Sequence, residues 1–429
     1  MSAEPSQTPS TQVTGPLTAA DIDAAADRIA GVVTPTPLQL CDRLSAMTGA
    51  RVYLKREDLQ SVRSYKLRGA YNLLVQLSPE EVAAGVVCSS AGNHAQGFAF
   101  ACRALGIHGR VYVPAKTPKQ KRDRIRYHGG DFIELIVGGT TYDLAAEAAL
   151  DDVARTGATL VPPFDDVRTI AGQGTIAVEL LDQLGGEPDL VVVPVGGGGC
   201  IAGITTYLAE RTTKTSVLGV EPAGAAAMMA ALAAGEPVTL DYVDQFVDGA
   251  AVNRAGTLTY AALAAAGDMV SITAVDEGAV CTAMLDLYQH EGIIAEPAGA
   301  LSVAGLLETD VEPDSTVVCL ISGGNNDVSR YGEVLERSLV HLGLKHYFLV
   351  DFPQEPGALR RFLDDVLGPN DDITLFEYVK RNNRETGEAL VGIELGSAAD
   401  LDGLLERMRA TEIHVEALEP GSPAYRYLL

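Results

Sequence analysis

From residue 51 to residue 321 the chain alternates short runs rich in Val, Ile and Leu with longer stretches whose apolar residues recur at helical spacing. Residues 51–55, 86–89, 110–114, 132–137, 190–195, 216–220 and 316–321 have the length and branching of strands. Between them, residues 95–105, 118–127, 143–155 and 175–184 read as helices, and another helix starts near Thr18, with Asp21 and Asp23 in its first turns. Strands that alternate with helices of this length predict an α/β fold: parallel sheets with helices on both faces.

After Arg330 the pattern changes. Residues 346–352 read as a strand, 356–366 as a helix, 373–381 and 389–395 as strands, 399–409 as a helix and 413–418 as a strand. This βαββαβ order is the ferredoxin-like arrangement, and no internal repeat calls for a second copy. A domain boundary is expected between residues 339 and 344, separating a region 18–340 from a module at 344–420. Residues 1–17, rich in Ser, Thr, Pro and Gln, are expected to form a disordered tail.

Composition narrows the classes. A chain of 429 residues, 47% apolar and 21% charged, is globular and long enough for two or three folding units. A net charge of −25 argues against nucleic acid or an anionic membrane surface as partner. Any anion held within so acidic a protein must be met by backbone N–H groups and helix N-termini. The six cysteines (Cys41, Cys88, Cys102, Cys200, Cys281 and Cys319) form no CxxC pair and lie mostly in apolar runs. They read as reduced thiols of a cytoplasmic protein, with no metal site expected. The N-terminal residues lack the basic start and apolar core of a secretion signal, and no stretch approaches the roughly 20 apolar residues of a membrane span.

Four segments carry chemistry. Lys66 stands in Ser64-Tyr65-Lys66-Leu67-Arg68-Gly69-Ala70, where desolvation beside Arg68 would favour a neutral amine able to condense with a carbonyl. Ser89-Ser90-Ala91-Gly92-Asn93-His94 joins a strand to a helix, so its N–H groups form a nest for a carboxylate, and the Asn93 amide can donate to a ligand oxygen. Ser90 and Asn93 acting only as helix caps is the alternative. Gly196, Gly197, Gly198, Gly199 and Cys200 follow an apolar strand and open a helix, a cradle for phosphate. Ser322 ends the strand at 316–321, where its hydroxyl could meet a ring nitrogen. A competing reading takes Gly197, Gly199 and Ala202 as G-x-G-x-x-A, with Glu221 on the ribose of a nicotinamide dinucleotide, which would make the chain an oxidoreductase.

The four segments together resemble the threonine dehydratase branch of the fold-type-II pyridoxal-phosphate enzymes, across most of residues 20–335. The resemblance implies a tryptophan-synthase-β-like catalytic region of two parallel-sheet subdomains. It implies pyridoxal phosphate held by Lys66, Asn93, Gly196, Gly197, Gly198, Gly199, Cys200 and Ser322, with Lys66 catalytic. Ser90, Ala91, Gly92, Asn93 and His94 then bind substrate. Related serine racemases carry a second base where this chain has Ala91, so racemisation is not expected. Some also bind a cation using an acid where this chain has Ala227. The segment Val350-Asp351-Phe352-Pro353-Gln354-Glu355-Pro356-Gly357-Ala358-Leu359 resembles the ACT-like domain of biosynthetic threonine dehydratases, which senses isoleucine in that family. The expected reaction is β-elimination of L-threonine to 2-oxobutanoate and ammonia, with L-serine secondary, in a homodimer or homotetramer. Isoleucine would be the inhibitor and valine its opponent.

Overall fold

The computed structural model describes residues 16–378, 385–411, 413–419, 422, 425 and 428. They fall into two compact units, one made of residues up to Asp276 together with His290–Asn326, the other of Glu277–Gln289 and everything from Asp327 onward. Residues 1–15, most of the expected tail, lie outside the described residues, while Leu17 packs on the core.

Two sheets form the first unit. Strands β1 (Leu38–Leu40), β2 (Arg51–Arg56), β7 (Leu190–Pro194), β8 (Ser216–Pro222), β9 (Val270–Val275) and β10 (Thr316–Ile321) make one sheet in the order β1-β2-β10-β7-β8-β9. Only β1 runs antiparallel to its neighbour. The other sheet, β5-β4-β3-β6, is wholly parallel and comprises β3 (Val86–Ser89), β4 (Gly109–Val113), β5 (Ile133–Val137) and β6 (Thr159–Leu160). All six residues of β10 are buried, as befits a strand paired on both edges and covered on both faces. Each sheet has its own core, Val191, Val193, Ile201 and Ile204 in one, Val86, Cys88, Phe98 and Val111 in the other.

Local sequence sets the helix starts. The Ala19–Ile29 helix begins with a capping box in which Thr18 and Asp21 exchange side-chain and backbone hydrogen bonds, as the acidic first turn foretold. The helix expected at 175–184 in fact runs Val167–Leu184. Its Gly172 and Gly174 look like breakers in sequence but serve contact: a Cβ on Gly172 would stand 2.6 Å from Gly69 Cα, and one on Gly174 would stand 2.9 Å from Gly203 O. The helices Lys66–Leu74, Val167–Leu184 and Gly199–Arg211 thereby approach closely.

In the second unit, β11 (Lys345–Pro353), β12 (Asp372–Tyr378), β13 (Thr386–Glu394) and β14 (His414–Ala417) form an antiparallel sheet ordered β12-β13-β11-β14. With the Ala358–Val366 and Leu401–Ala410 helices packed on Phe348, Val350, Phe352 and Val391, this is the ferredoxin-like arrangement. Residues 379–381 of the expected second strand lie outside the described residues. The Tyr331–His341 helix and residues 277–289 belong to the same unit, joined by the Thr282 and Ser338 hydroxyls at 2.9 Å.

Candidate active site

The four chemical segments all leave the carboxyl ends of parallel strands, or pair with one. β10 delivers Ser322, β7 delivers Gly196, and β3 delivers Ser89 and Ser90. Lys66 comes from the first residue of the Lys66–Leu74 helix, reached by a turn pinned against β10's end. Ser64 bridges Gly323, and Tyr65 N donates to Ser322 O at 3.2 Å.

Lys66 is half-buried, and its Nζ donates to the Pro163 carbonyl at 3.1 Å. Burial lowers its pKa to about 8, against the pull of Cys200 and Glu296. Desolvation therefore does what the sequence suggested, but Arg68 takes no part. Arg68 points the other way, into a buried ion cluster with Glu57 at 2.8 Å and Glu179 at 2.7 Å, and Lys55 reaches the same Glu179 at 2.7 Å. The cluster anchors the helix that carries Lys66.

The glycine loop presents free amides. Its carbonyls are tied: Gly197 O accepts from Thr259 Oγ1 at 2.7 Å and Gly256 N at 3.3 Å, and Gly198 O from Ala202 N at 2.9 Å. Among the described residues no hydrogen bond is made by the N–H groups of Gly196, Gly197, Gly198 and Gly199. Gly198 caps the Gly199–Arg211 helix with φ +90°, and a Cβ there would meet Met228 Cε at 2.4 Å. Free donors at a helix N-terminus fit a phosphate. Cys200, the second residue of that helix, is an inert thiol, raised to about 12 by burial.

Ser90, Ala91, Gly92, Asn93 and His94 follow β3. Capping does not account for them, because Gly92 is the cap of the Asn93–Leu105 helix and makes no side-chain bond. Ser90 Oγ accepts from Gly92 N at 3.3 Å, and His94 Nε2 faces the Val161 carbonyl at 2.8 Å. A carbonyl only accepts, so that nitrogen carries the hydrogen and Nδ1 does not. Burial and the nearby Lys66 charge lower His94 to about 4, which keeps it neutral. Ser64 Oγ, Ser89 Oγ and His94 Nδ1 are buried without a partner among the described residues. These buried polar atoms and the amide cradle suit a polar ligand with phosphate and carboxylate groups. Ser322, 3% exposed, donates its hydroxyl to Ala298 O at 3.2 Å.

Two residues escaped the sequence reading. Glu296 accepts from Nδ2 of Asn93, and Asn325 donates to Asn93 Oδ1 at 2.7 Å. Glu296 stands just before Pro297, the pattern of an ordinary helix start, so nothing in the sequence marked it. The dinucleotide reading fails on Glu221. Its carboxylate accepts from the N–H groups of Met228 at 2.7 Å and Met229 at 2.8 Å, closing the Ala227–Ala234 helix where a ribose would need it free.

Comparison with known proteins shows the family. A family described as "Pyridoxal-phosphate dependent enzyme" matches residues 29–323, and one described as "C-terminal regulatory domain of Threonine dehydratase" matches residues 336–428. The chain is similar to the biosynthetic L-threonine dehydratase IlvA of Mycobacterium tuberculosis, 90% identical over 429 residues and 100% of both chains. Its likeness to that of Corynebacterium glutamicum is 61% over 415 residues, 96% of this chain and 95% of the other. Among solved structures it is similar to the processed threonine deaminase isoform 2 of Solanum lycopersicum, with 37% identity, 78% and 99% coverage and a TM-score of 0.69. Maize serine racemase is similar at 30% identity, 76% and 99% coverage and a TM-score of 0.69.

Proposed function

Since this chain belongs to the pyridoxal-phosphate-dependent threonine dehydratases, we propose that it converts L-threonine to 2-oxobutanoate and ammonia, with L-serine a slower substrate, under control of its C-terminal domain. The observation that carries the reading is the half-buried Lys66 amine, lowered to about 8, beside a glycine loop whose amides have no partner among the described residues.

Bound pyridoxal phosphate supplies a carbonyl that condenses with amines and a ring that draws electrons from the substrate Cα. The amides of residues 196–200 would hold its phosphate, Asn93 would donate to its phenolic oxygen, and the Ser322 hydroxyl, turned from the Ala298 carbonyl, would serve its ring nitrogen. A serine there leaves that nitrogen nearer neutral than an aspartate would, which favours loss of a β-substituent over transamination. The nest from Ser90 to His94 orients the substrate carboxylate. The Lys66 amine would take the Cα proton; the β-hydroxyl leaves as water by gaining one proton, and one water then hydrolyses the released enamine to 2-oxobutanoate and ammonia. Ala91 offers no base for the opposite face, so L-serine is led to pyruvate and not to its enantiomer. The direct test is Lys66→Ala, which should keep its fold and lose 2-oxobutanoate formation by several orders of magnitude. Near-normal turnover by that variant refutes the assignment.

We take residues 18–340 as the catalytic region and 344–420 as the ACT-like regulatory domain, sensing isoleucine with valine opposing it. The edges of β12 and β14 in that domain support a homodimer or homotetramer in which copies pair. Six free cysteines, all buried, support a cytoplasmic site of action.

A further inference from the structure

Glu296 occupies the cap position of the Pro297–Leu307 helix, yet its side chain makes no cap bond. It is 5% exposed and turns to Nδ2 of Asn93. Asn93 Oδ1 accepts from Asn325 Nδ2 at 2.7 Å, and the same Asn325 nitrogen donates to the Val62 carbonyl at 2.8 Å. The chain therefore ends in a carbonyl on one side and a carboxylate on the other. Both only accept, so the orientation of each amide between them is forced. Asn93 keeps one uncommitted Nδ2 hydrogen, held in a single direction. Gly323 makes room for this: a Cβ there would lie 2.2 Å from Glu296 Oε1, and Gly323 O accepts from Glu296 N at 3.1 Å.

We propose that Glu296 is a positioning residue that acts through Asn93, aiming the free amide hydrogen at the phenolic oxygen of the cofactor. The inference rests on Asn93 being the cofactor contact. The charged and titratable groups acting on or answering to Glu296 are Asp248, Lys121, Lys66 and Tyr65. Burial first, and then Asp248, raise Glu296 to about 7. A protonated Glu296 loses its charge, so the hydrogen bond it accepts from Asn93 weakens and the amide, its sense still set by Asn325, is held less firmly. The lock consequently holds above that pH and loosens below it.

The test compares wild type, Glu296→Gln, Asn93→Ala and the double variant. Two quantities are read: the equilibrium dissociation constant of pyridoxal phosphate from the apoenzyme, and the visible absorption of the bound cofactor across the pH range around 7. Glu296→Gln should weaken binding about 10-fold or more, the loss expected for one charge-assisted hydrogen bond. It should also shift the band and abolish its change with pH, while Glu296→Asp restores part of both. In the Asn93→Ala background the same substitution should add less than about twofold, because its route is gone. Asn325→Ala, which leaves the buried charge intact, should give the same band shift, and it keeps the test decisive should Glu296→Gln not fold. Wild-type binding and spectrum in Glu296→Gln overturn the proposal, as does a full additive effect in the Asn93→Ala background. An Asn93→Ala variant with unchanged binding and spectrum removes the Asn93 reading instead.

Discussion

Arg68→Met is the sharpest probe of what holds Lys66 in place. Arg68 and Glu57 are both fully buried, and their side chains meet through two hydrogen bonds, Nε to Oε2 at 2.9 Å and Nη2 to Oε1 at 2.8 Å. Arg68 Nη1 also reaches Glu179 at 2.7 Å and Thr175 at 3.1 Å. Methionine fills most of the volume but leaves Glu57 with the Thr36 hydroxyl at 2.6 Å, a long bond from Gln60 and the charge of Lys55. Removing one partner from a buried pair costs about 3–5 kcal/mol, which for a unit of this size lowers the melting temperature by roughly 5–8 °C. The pH dependence has a definite sign. In the intact protein burial pushes Glu57 up, and the charge and hydrogen bonds of Arg68 more than offset that, leaving it below the ordinary glutamate value. That stabilisation is present above the unfolded glutamate pKa and lost as pH falls through the folded one. In the variant burial prevails and the carboxyl gains affinity for a proton. The deficit should thus be largest near about pH 8 and shrink toward about pH 5, as Glu57 is neutralised. Calorimetric melting of both proteins across that range measures it, and Glu57→Gln on top of Arg68→Met should recover part of the loss. A variant within about 1 kcal/mol of wild type at the upper pH, or a deficit that grows on acidification, refutes the reasoning.

The Lys66 amine must be neutral to attack a carbonyl, so the rate of pyridoxal-phosphate uptake by the apoenzyme should rise with pH around a midpoint of about 8; a rate flat until well above that value contradicts the burial argument. Gly198→Ala places a Cβ at φ +90° against Met228, and should cost about 1–3 kcal/mol from the backbone alone. Urea unfolding reads that loss, Met228→Ala should relieve the contact part of it, and wild-type stability would mean the loop is free to relax. Isoleucine at millimolar concentration should shift the threonine saturation curve of the full chain, with the reciprocal effect of threonine on isoleucine binding; identical curves with and without it leave the C-terminal domain a dimerisation module only.

Much of this fold is legible in its sequence, and the limits have physical causes. Strands β3 and β10 are legible because they carry apolar runs, Val86-Val87-Cys88 in one and six buried residues in the other. Strands β1 and β6, of three and two residues, carry too few positions to show any period. The Val167–Leu184 helix was read as shorter than it is because Gly172 and Gly174 are unfavourable within an isolated helix. Their role appears only when Gly69 and Gly203 arrive from other helices.

The candidate site divides along the same line. Residues that act through backbone or through a distinctive reactive group, the glycine loop and Lys66, leave a signature within a few positions of sequence. Glu296 and Asn325 act through a chain of side-chain hydrogen bonds whose members are 203 and 232 positions away from Asn93. No local pattern encodes a partner at that distance. Arg68 shows how such a gap misleads: adjacency in sequence suggested that it acts on Lys66, whereas the helix turns its guanidinium into the Glu57 and Glu179 cluster. The amine's low pKa then comes from burial. What Arg68 contributes is position, by fixing the helix whose first residue must sit beside Ser322 and the glycine loop for any of the chemistry to occur.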